Sequence, residues 1–92
     1  MFYTYILQSL STKDELYIGY TNDLKRRFKE HNQKQNFSTK RYAPWKLIYY
    51  EASLSQIDAE RREKYLKTTH GSRMLRKRIK VYLSEQYKNF AD

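Results

Sequence analysis

Two tyrosines, Tyr5 and Tyr17, flank a short polar segment. Arg27 and His31 stand four residues apart, and Glu63 lies inside the strongly basic run ERREK. Phenol, imidazole and carboxylate groups exchange protons, a guanidinium fork binds oxyanions, and a carboxylate oxygen ligates hard cations. Each residue also has an ordinary structural use. Two tyrosines of a hairpin pack in a core or at an edge. Arg27 among Lys25, Arg26 and Lys29 is surface charge, and His31 near a helix C-terminus suits the negative end of the dipole. Glu63 with Lys67 is an i, i+4 pair. Singly, none of them carries a catalytic assignment.

The elements that must position these residues follow from pattern and punctuation. Phe2 to Leu10 and Glu15 to Tyr20 are rich in aromatic and β-branched residues, and the polar link Ser11-Thr12-Lys13-Asp14 makes them an antiparallel hairpin. A turn centred near Ser11 pairs Tyr5 with Tyr17 on one face, shared by Tyr3 and Gly19. Asn22 is the expected N-cap of a first helix, with Asp23 at its positive end, Leu24 and Phe28 on its apolar stripe and an end near Gln33 or Lys34. A polar, irregular segment follows to Arg41. Trp45 to Glu51 is the third strand, entered through Pro44. Ser53 or Ser55 caps a second helix that runs to about Lys67. Gly71 is the expected C-terminal cap at a break. A last helix runs from about Ser72 to Tyr87, with Leu75, Ile79, Tyr82 or Leu83, and Gln86 or Tyr87 as its apolar stripe. The expected fold is α+β: a three-stranded antiparallel sheet flanked by three helices in the order β-β-α-β-α-α, a single domain over residues 1–92.

Composition narrows the function. In 92 residues there are 19 Lys and Arg against 10 Asp and Glu, a formal charge of +9, and the excess is spread over both halves of the chain. That balance points to a polyanion. The absence of Cys excludes disulfides, thiolate metal sites and Cys nucleophiles. Two Gly leave no room for a Gly-rich phosphate loop. No signal peptide or membrane span is visible, so a soluble, cytoplasmic protein is expected.

Taken together, the order and spacing of these residues resemble the GIY-YIG nuclease family, and the resemblance extends to about Leu83. Tyr5 matches the first tyrosine of that pattern and Tyr17-Ile18-Gly19 is an intact YIG. Arg27 falls ten residues past Tyr17, His31 stands where the family has Tyr or His, and Glu63, within AERREKYLK, matches the metal-binding glutamate. Tyr3 and Thr4 replace the Gly and Ile of GIY, and Tyr20 stands where the excision-repair incision subunit has Lys. The closest likeness is to the small stand-alone bacterial proteins of the superfamily, named as predicted endonucleases.

The resemblance implies a metal-dependent endonuclease that hydrolyses DNA phosphodiester bonds, with branched, flapped or damaged DNA as the candidate substrates, in repair or processing. Glu63 would hold a single Mg²⁺ or Mn²⁺ that keeps most of its waters. Tyr17 would be the general base, with His31 competing for that role. Arg27 would hold the phosphate, and Tyr5 would orient the water or a phosphate oxygen. Lys40 and Arg41, with Arg73, Arg76, Lys77 and Lys80 of the last helix, are the candidate nucleic-acid contacts. With no base-reading motif, those contacts should go to backbone and shape. DNA is the expected partner, with RNA still open. The alternatives are a nucleic-acid-binding module that keeps the fold without catalysis and, explaining the charge less well, a protein-interaction adaptor.

Overall fold

The computed structural model describes residues 1–91, and the side chains of residues 1–86. Three strands, β1 (Phe2–Ser9), β2 (Leu16–Thr21) and β3 (Trp45–Ser53), form one antiparallel sheet in the order β2-β1-β3. Four helices accompany it: α1 (Leu24–Asn32), α2 (Gln56–Leu66), α3 (Thr69–Arg78) and α4 (Lys80–Ala91). A 3-10 turn at Lys40–Tyr42 precedes β3. The expected sheet and element order are present, with the last helix divided in two.

The central strand is buried on both sides from Thr4 to Ser9, because helices cover both faces of the sheet. On one face Tyr5, Leu7 and Trp45 form a core with Leu24 and Phe28 of α1, together with Tyr17 and Leu47. On the other, Ile6, Leu66 and Leu75 pack with Ile18, Ile48 and Tyr49, joining α2 and α3 to the sheet. Full burial of a side chain such as Ile6 or Leu66 is worth roughly 1.5–3 kcal/mol. The β1–β3 register shifts between Ile6 and Leu7, so Leu47 joins the first layer while Ile48 and Tyr49 join the second. Thr4 Oγ1 donates to the Ala59 carbonyl at 3.0 Å and ties α2 to β1.

Several local expectations are corrected. Tyr5 pairs with Gly19, and Tyr17 with Leu7. The register is therefore two residues away from a Tyr5–Tyr17 pair, although parity still leaves both tyrosines on the same face. The cap of α1 is Asp23, whose carboxylate accepts from the Arg26 amide at 3.1 Å, not Asn22. Ser55 caps α2. Gly71 is no C-terminal cap. Thr68 caps α3, accepting from the Gly71 amide at 3.0 Å, and Gly71 lies inside the helix. Its lack of a side chain serves packing, since a Cβ there would overlap the Tyr65 carbonyl of α2. The last helix breaks at Ile79, which leaves helical geometry at φ −110° and ψ 25°. Beyond the break, Tyr82 Oη donates to Gln8 Oε1 at 2.6 Å and anchors α4 to β1. Of the expected apolar stripe, Leu75 and Ile79 are buried and Tyr82, Leu83 and Gln86 half-buried. The Tyr87 side chain lies outside the described residues.

Candidate active site

Tyr5 stands on the central strand with its ring laid across Gly19 of β2. A Cβ at Gly19 would lie 2.6 Å from the Tyr5 hydroxyl and 2.9 Å from the Tyr17 ring. The glycine is thus required by the close approach of a side chain, not by its own backbone. The Tyr5 hydroxyl lies 2.8 Å from His31 Nε2, and His31 Nδ1 lies 2.7 Å from Thr39 Oγ1. Thr39 Oγ1 in turn donates to the Asn36 carbonyl at 3.5 Å. With Nδ1 protonated, Thr39 accepts from His31 and Nε2 accepts the Tyr5 proton. The Arg27 guanidinium lies near enough to Tyr5 to act on its phenol. Asn32 and Trp45 fasten the same corner: Asn32 Nδ2 donates to the Trp45 carbonyl at 3.0 Å, and Trp45 Nε1 donates to the Thr39 carbonyl at 3.0 Å.

The electrostatics agree with this geometry. Burial pushes the Tyr5 phenol well above its ordinary range; Arg27 opposes the shift, while Tyr17 and Glu63 add to it. Burial, with the Arg27 charge beside it, pushes the His31 imidazole down to about 4. Desolvation alone would lower the Arg27 guanidinium, but its bonds to Tyr5 and Glu30 hold it above its usual value. At neutral pH the row is a neutral phenol, a neutral imidazole and a fixed cation.

Tyr17 is half-buried, with its ring centroid 4.8 Å from that of His31 and 6.2 Å from that of Tyr5. Its hydroxyl makes no hydrogen bond to the described residues, so it is free to meet an incoming molecule. Arg27, half-buried and paired with Glu30 at 3.4 Å, lines a cleft of about 260 Å³ together with Arg26, Asn22, Tyr20 and Gln56. The cleft brings α1 and the start of α2 together at the β2 edge of the sheet.

Glu63 comes to this edge from the other side. Its helix packs on the Ile6 layer, opposite Tyr5 and Tyr17. Its carboxylate is nevertheless near enough to raise the phenols of both Tyr5 and Tyr20. Glu63 is largely buried, with 19% of its side chain exposed, and pairs with Lys67 at 3.1 Å. Among the described residues no three His, Cys, Asp or Glu side chains gather into a metal cluster. A divalent ion here would rest on one carboxylate and its own waters, a donor set that suits Mg²⁺ or Mn²⁺. Glu63 fits that role because its present partner is a half-exposed lysine able to swing away.

The structure therefore gathers Tyr5, Tyr17, Arg27 and His31 into one cluster, whereas Glu63 stands on the helix that covers the opposite face of the sheet, within electrostatic reach of Tyr5. His31 is fully buried behind Tyr5 with both ring nitrogens engaged. It can act on Tyr5 but does not reach solvent. Lys40 and Arg41 are exposed and lie against Phe37 and Tyr42, at 4.7 and 5.4 Å from the ring centroids. Arg73, Arg76 and Lys77 of α3 and Lys80 at the start of α4 are grouped apart from the cluster, along one groove. Sequence reading missed Thr39, which sets the His31 tautomer; nothing in a polar loop marks one threonine above its neighbours. It also gave no role to Tyr20, whose hydroxyl accepts from Gln56 Nε2 at 3.2 Å and whose phenol is raised chiefly by its bond to Glu60. Strand alternation, which puts Tyr20 on the α2 face, was the available signal.

Comparison with known proteins matches residues 1–78 to the GIY-YIG catalytic domain. Over 69 residues the chain is 42% identical to the UPF0213 protein CPE1444 of Clostridium perfringens (strain 13 / Type A), an alignment covering 73% of this chain and 71% of that protein. No solved structure matches. With the YIG glycine lying beneath Tyr5, and Arg27 reaching that tyrosine from the next helix, the chain belongs to the GIY-YIG family.

Proposed function

We propose that this protein is a divalent-metal-dependent endonuclease hydrolysing phosphodiester bonds of DNA, with branched, flapped or damaged molecules as its substrates, in DNA processing or repair. The observation that carries the reading is the Tyr5 hydroxyl held between His31 and Arg27, beside a free Tyr17 hydroxyl and within electrostatic reach of Glu63.

In this reading the scissile phosphate enters the cleft at the β2 edge and one of its oxygens rests on Arg27. The planar guanidinium suits both the phosphate and the charge that develops on it. Tyr5 acts as a positioning residue. Its proton points into His31 and its oxygen accepts from Arg27, so it fixes the direction in which Arg27 presents its remaining N–H groups. His31 and Thr39 hold Tyr5 in that state. Tyr17, as phenolate, takes the proton of the attacking water; the water oxygen bonds to phosphorus and the bond from phosphorus to the leaving oxygen breaks. Glu63 holds the metal, which when bound supplies charge neutralisation at the phosphate and its leaving oxygen. Arg26, with Lys40 and Arg41, contributes positive charge for the phosphate backbone.

A panel of linear, flapped and branched 5′-labelled DNAs, incubated with Mg²⁺, Mn²⁺ or a chelator, tests the reading. Cleavage of at least one substrate, abolished by the chelator, is expected. Binding without cleavage of any member, in either metal, would leave a nucleic-acid-binding module instead. A matched RNA panel separates DNA from RNA as the preferred polymer.

A further inference from the structure

Helix α3 carries its own cationic surface. Arg73, Arg76, Lys77 and Lys80 are all exposed and, with Thr69 and Ser72, line one groove of about 470 Å³. At 3.6 residues per turn Arg73, Arg76 and Lys77 of α3 fall within a sector of about 100°, on the side away from buried Leu75, and Lys80, the first residue of α4, lines the same groove. Among the described residues none of the four makes an ion pair. Arg26, Arg27, Arg62 and Lys67 are instead each matched to a carboxylate. A row of unneutralised like charges on a short helix is not explained by folding, because such charges repel one another when nothing lies between them. The helical part of the row, from Arg73 to Lys77, is about 6 Å long, and duplex DNA presents one negative charge per ~1.7 Å of its axis, so it faces about three to four phosphate charges.

This surface is separate from the cleft. Arg26 and Arg27 belong to α1, which rests on the Tyr5–Leu7–Trp45 layer. The groove belongs to α3, whose Leu75 rests on the Ile6–Leu66 layer, on the opposite face of the sheet. Duplex DNA is stiff over about 150 base pairs. The cleft at the β2 edge and the row on α3 are thus distinct surfaces, and one stiff duplex would have to bend to lie on both.

We propose that the α3 row is a second docking surface for duplex phosphate backbone, so that the substrate presents two non-collinear duplex segments, one to the cleft and one to α3. The inference rests on the reading that the cleft receives nucleic acid, but its test does not depend on cleavage.

The experiment measures affinity by mobility shift, in chelator, for a three-way junction and for a linear duplex of equal total length. The proteins are wild type and the variant Arg73→Ala, Arg76→Ala, Lys77→Ala. All three positions are exposed and Ala favours helix, so the fold should hold, as far-UV circular dichroism will verify. Arg76→Glu provides a second, milder probe. Wild type should prefer the junction by tenfold or more. The triple variant should lose that preference, with a drop of roughly tenfold to a hundredfold on the junction and a slope of log K against log salt flatter by about 2 to 3. Linear duplex should change by less than threefold. Equal losses on both DNAs would overturn the two-segment claim. So would unchanged binding of the junction, or variants that lose only anionic phosphatidylglycerol vesicles. Loss of junction preference in a protein that never cleaves would uphold the docking surface while overturning the nuclease reading.

Discussion

Gly19 and His31 show how single residues set the candidate site. The Tyr5 ring fills the space a side chain at position 19 would take, so Gly19→Ala forces the phenol off His31 Nε2. Because the nearest atoms belong to side chains and not to backbone, the fold should survive with a loss of about 1–3 kcal/mol. Cleavage should fall at least tenfold as Arg27 loses its partner; activity at the wild-type level would show that Tyr5 orientation does not matter. His31 gives a pH signature. Its imidazole is pushed down to about 4 in the fold, against about 6.5 in an unfolded chain. Between those values the unfolded state binds the extra proton, so stability rises with pH and is lost as pH falls from about 6.5 toward 4. The loss between pH 7 and pH 5 should be about 2 kcal/mol, and about 3 kcal/mol in all. Urea denaturation of wild type and His31→Gln at both pH values isolates this contribution. Equal pH dependence in the two proteins would contradict a neutral buried His31.

At the scale of elements, the close approach of α2 and α3 depends on Gly71. A Cβ there meets the Tyr65 carbonyl, a backbone atom that cannot swing aside, so Gly71→Ala should destabilise by about 2–3 kcal/mol despite the better helix propensity of Ala. A urea midpoint equal to or above that of wild type would contradict this packing. The same glycine shows where sequence reading stops. A glycine between two helical patterns reads as a cap, and only the approach of a second helix reveals its real use. Strand existence, a cap at Ser53 or Ser55 and the face shared by Tyr5 and Tyr17 were legible, because alternation and capping are local; the choice of Ser55 came from the structure. The hairpin register was not, since the turn has no Gly to fix its type, and parity survived a two-residue error. The break at Ile79 was hidden because neither Gly nor Pro marks it; beyond it, α4 is anchored by Tyr82 on Gln8. In the candidate site, Tyr5, Tyr17, Arg27, His31 and Glu63 were singled out by an order and spacing that resemble the family pattern. Their arrangement was not: His31 lies 26 residues from Tyr5, and Thr39 is visible only through His31.

Across the whole molecule, the +9 charge is spread along the chain and includes the arginines of the cleft at the β2 edge and the cations of the α3 groove, and none of its described helices is long and apolar enough to cross a membrane. If binding neutralises four to six phosphates, log K for duplex DNA should fall with log salt at a slope of roughly −4 to −5, with little dependence on sequence. A salt-independent affinity would contradict backbone recognition. The central claim is that these surfaces deliver a phosphodiester to a single-metal site at Glu63, and Glu63→Gln tests it most directly. The substitution keeps shape but removes the charge that would hold the ion, while taking one negative charge from a nucleic-acid-binding face. Product formation on 5′-labelled branched DNA in Mg²⁺ or Mn²⁺ should drop by about a hundredfold or more, since the metal's contribution is several kcal/mol and each ~1.4 kcal/mol is tenfold in rate. Mobility-shift affinity measured alongside should hold or tighten. Cleavage by Glu63→Gln at the wild-type rate, with metal still required, would contradict the account.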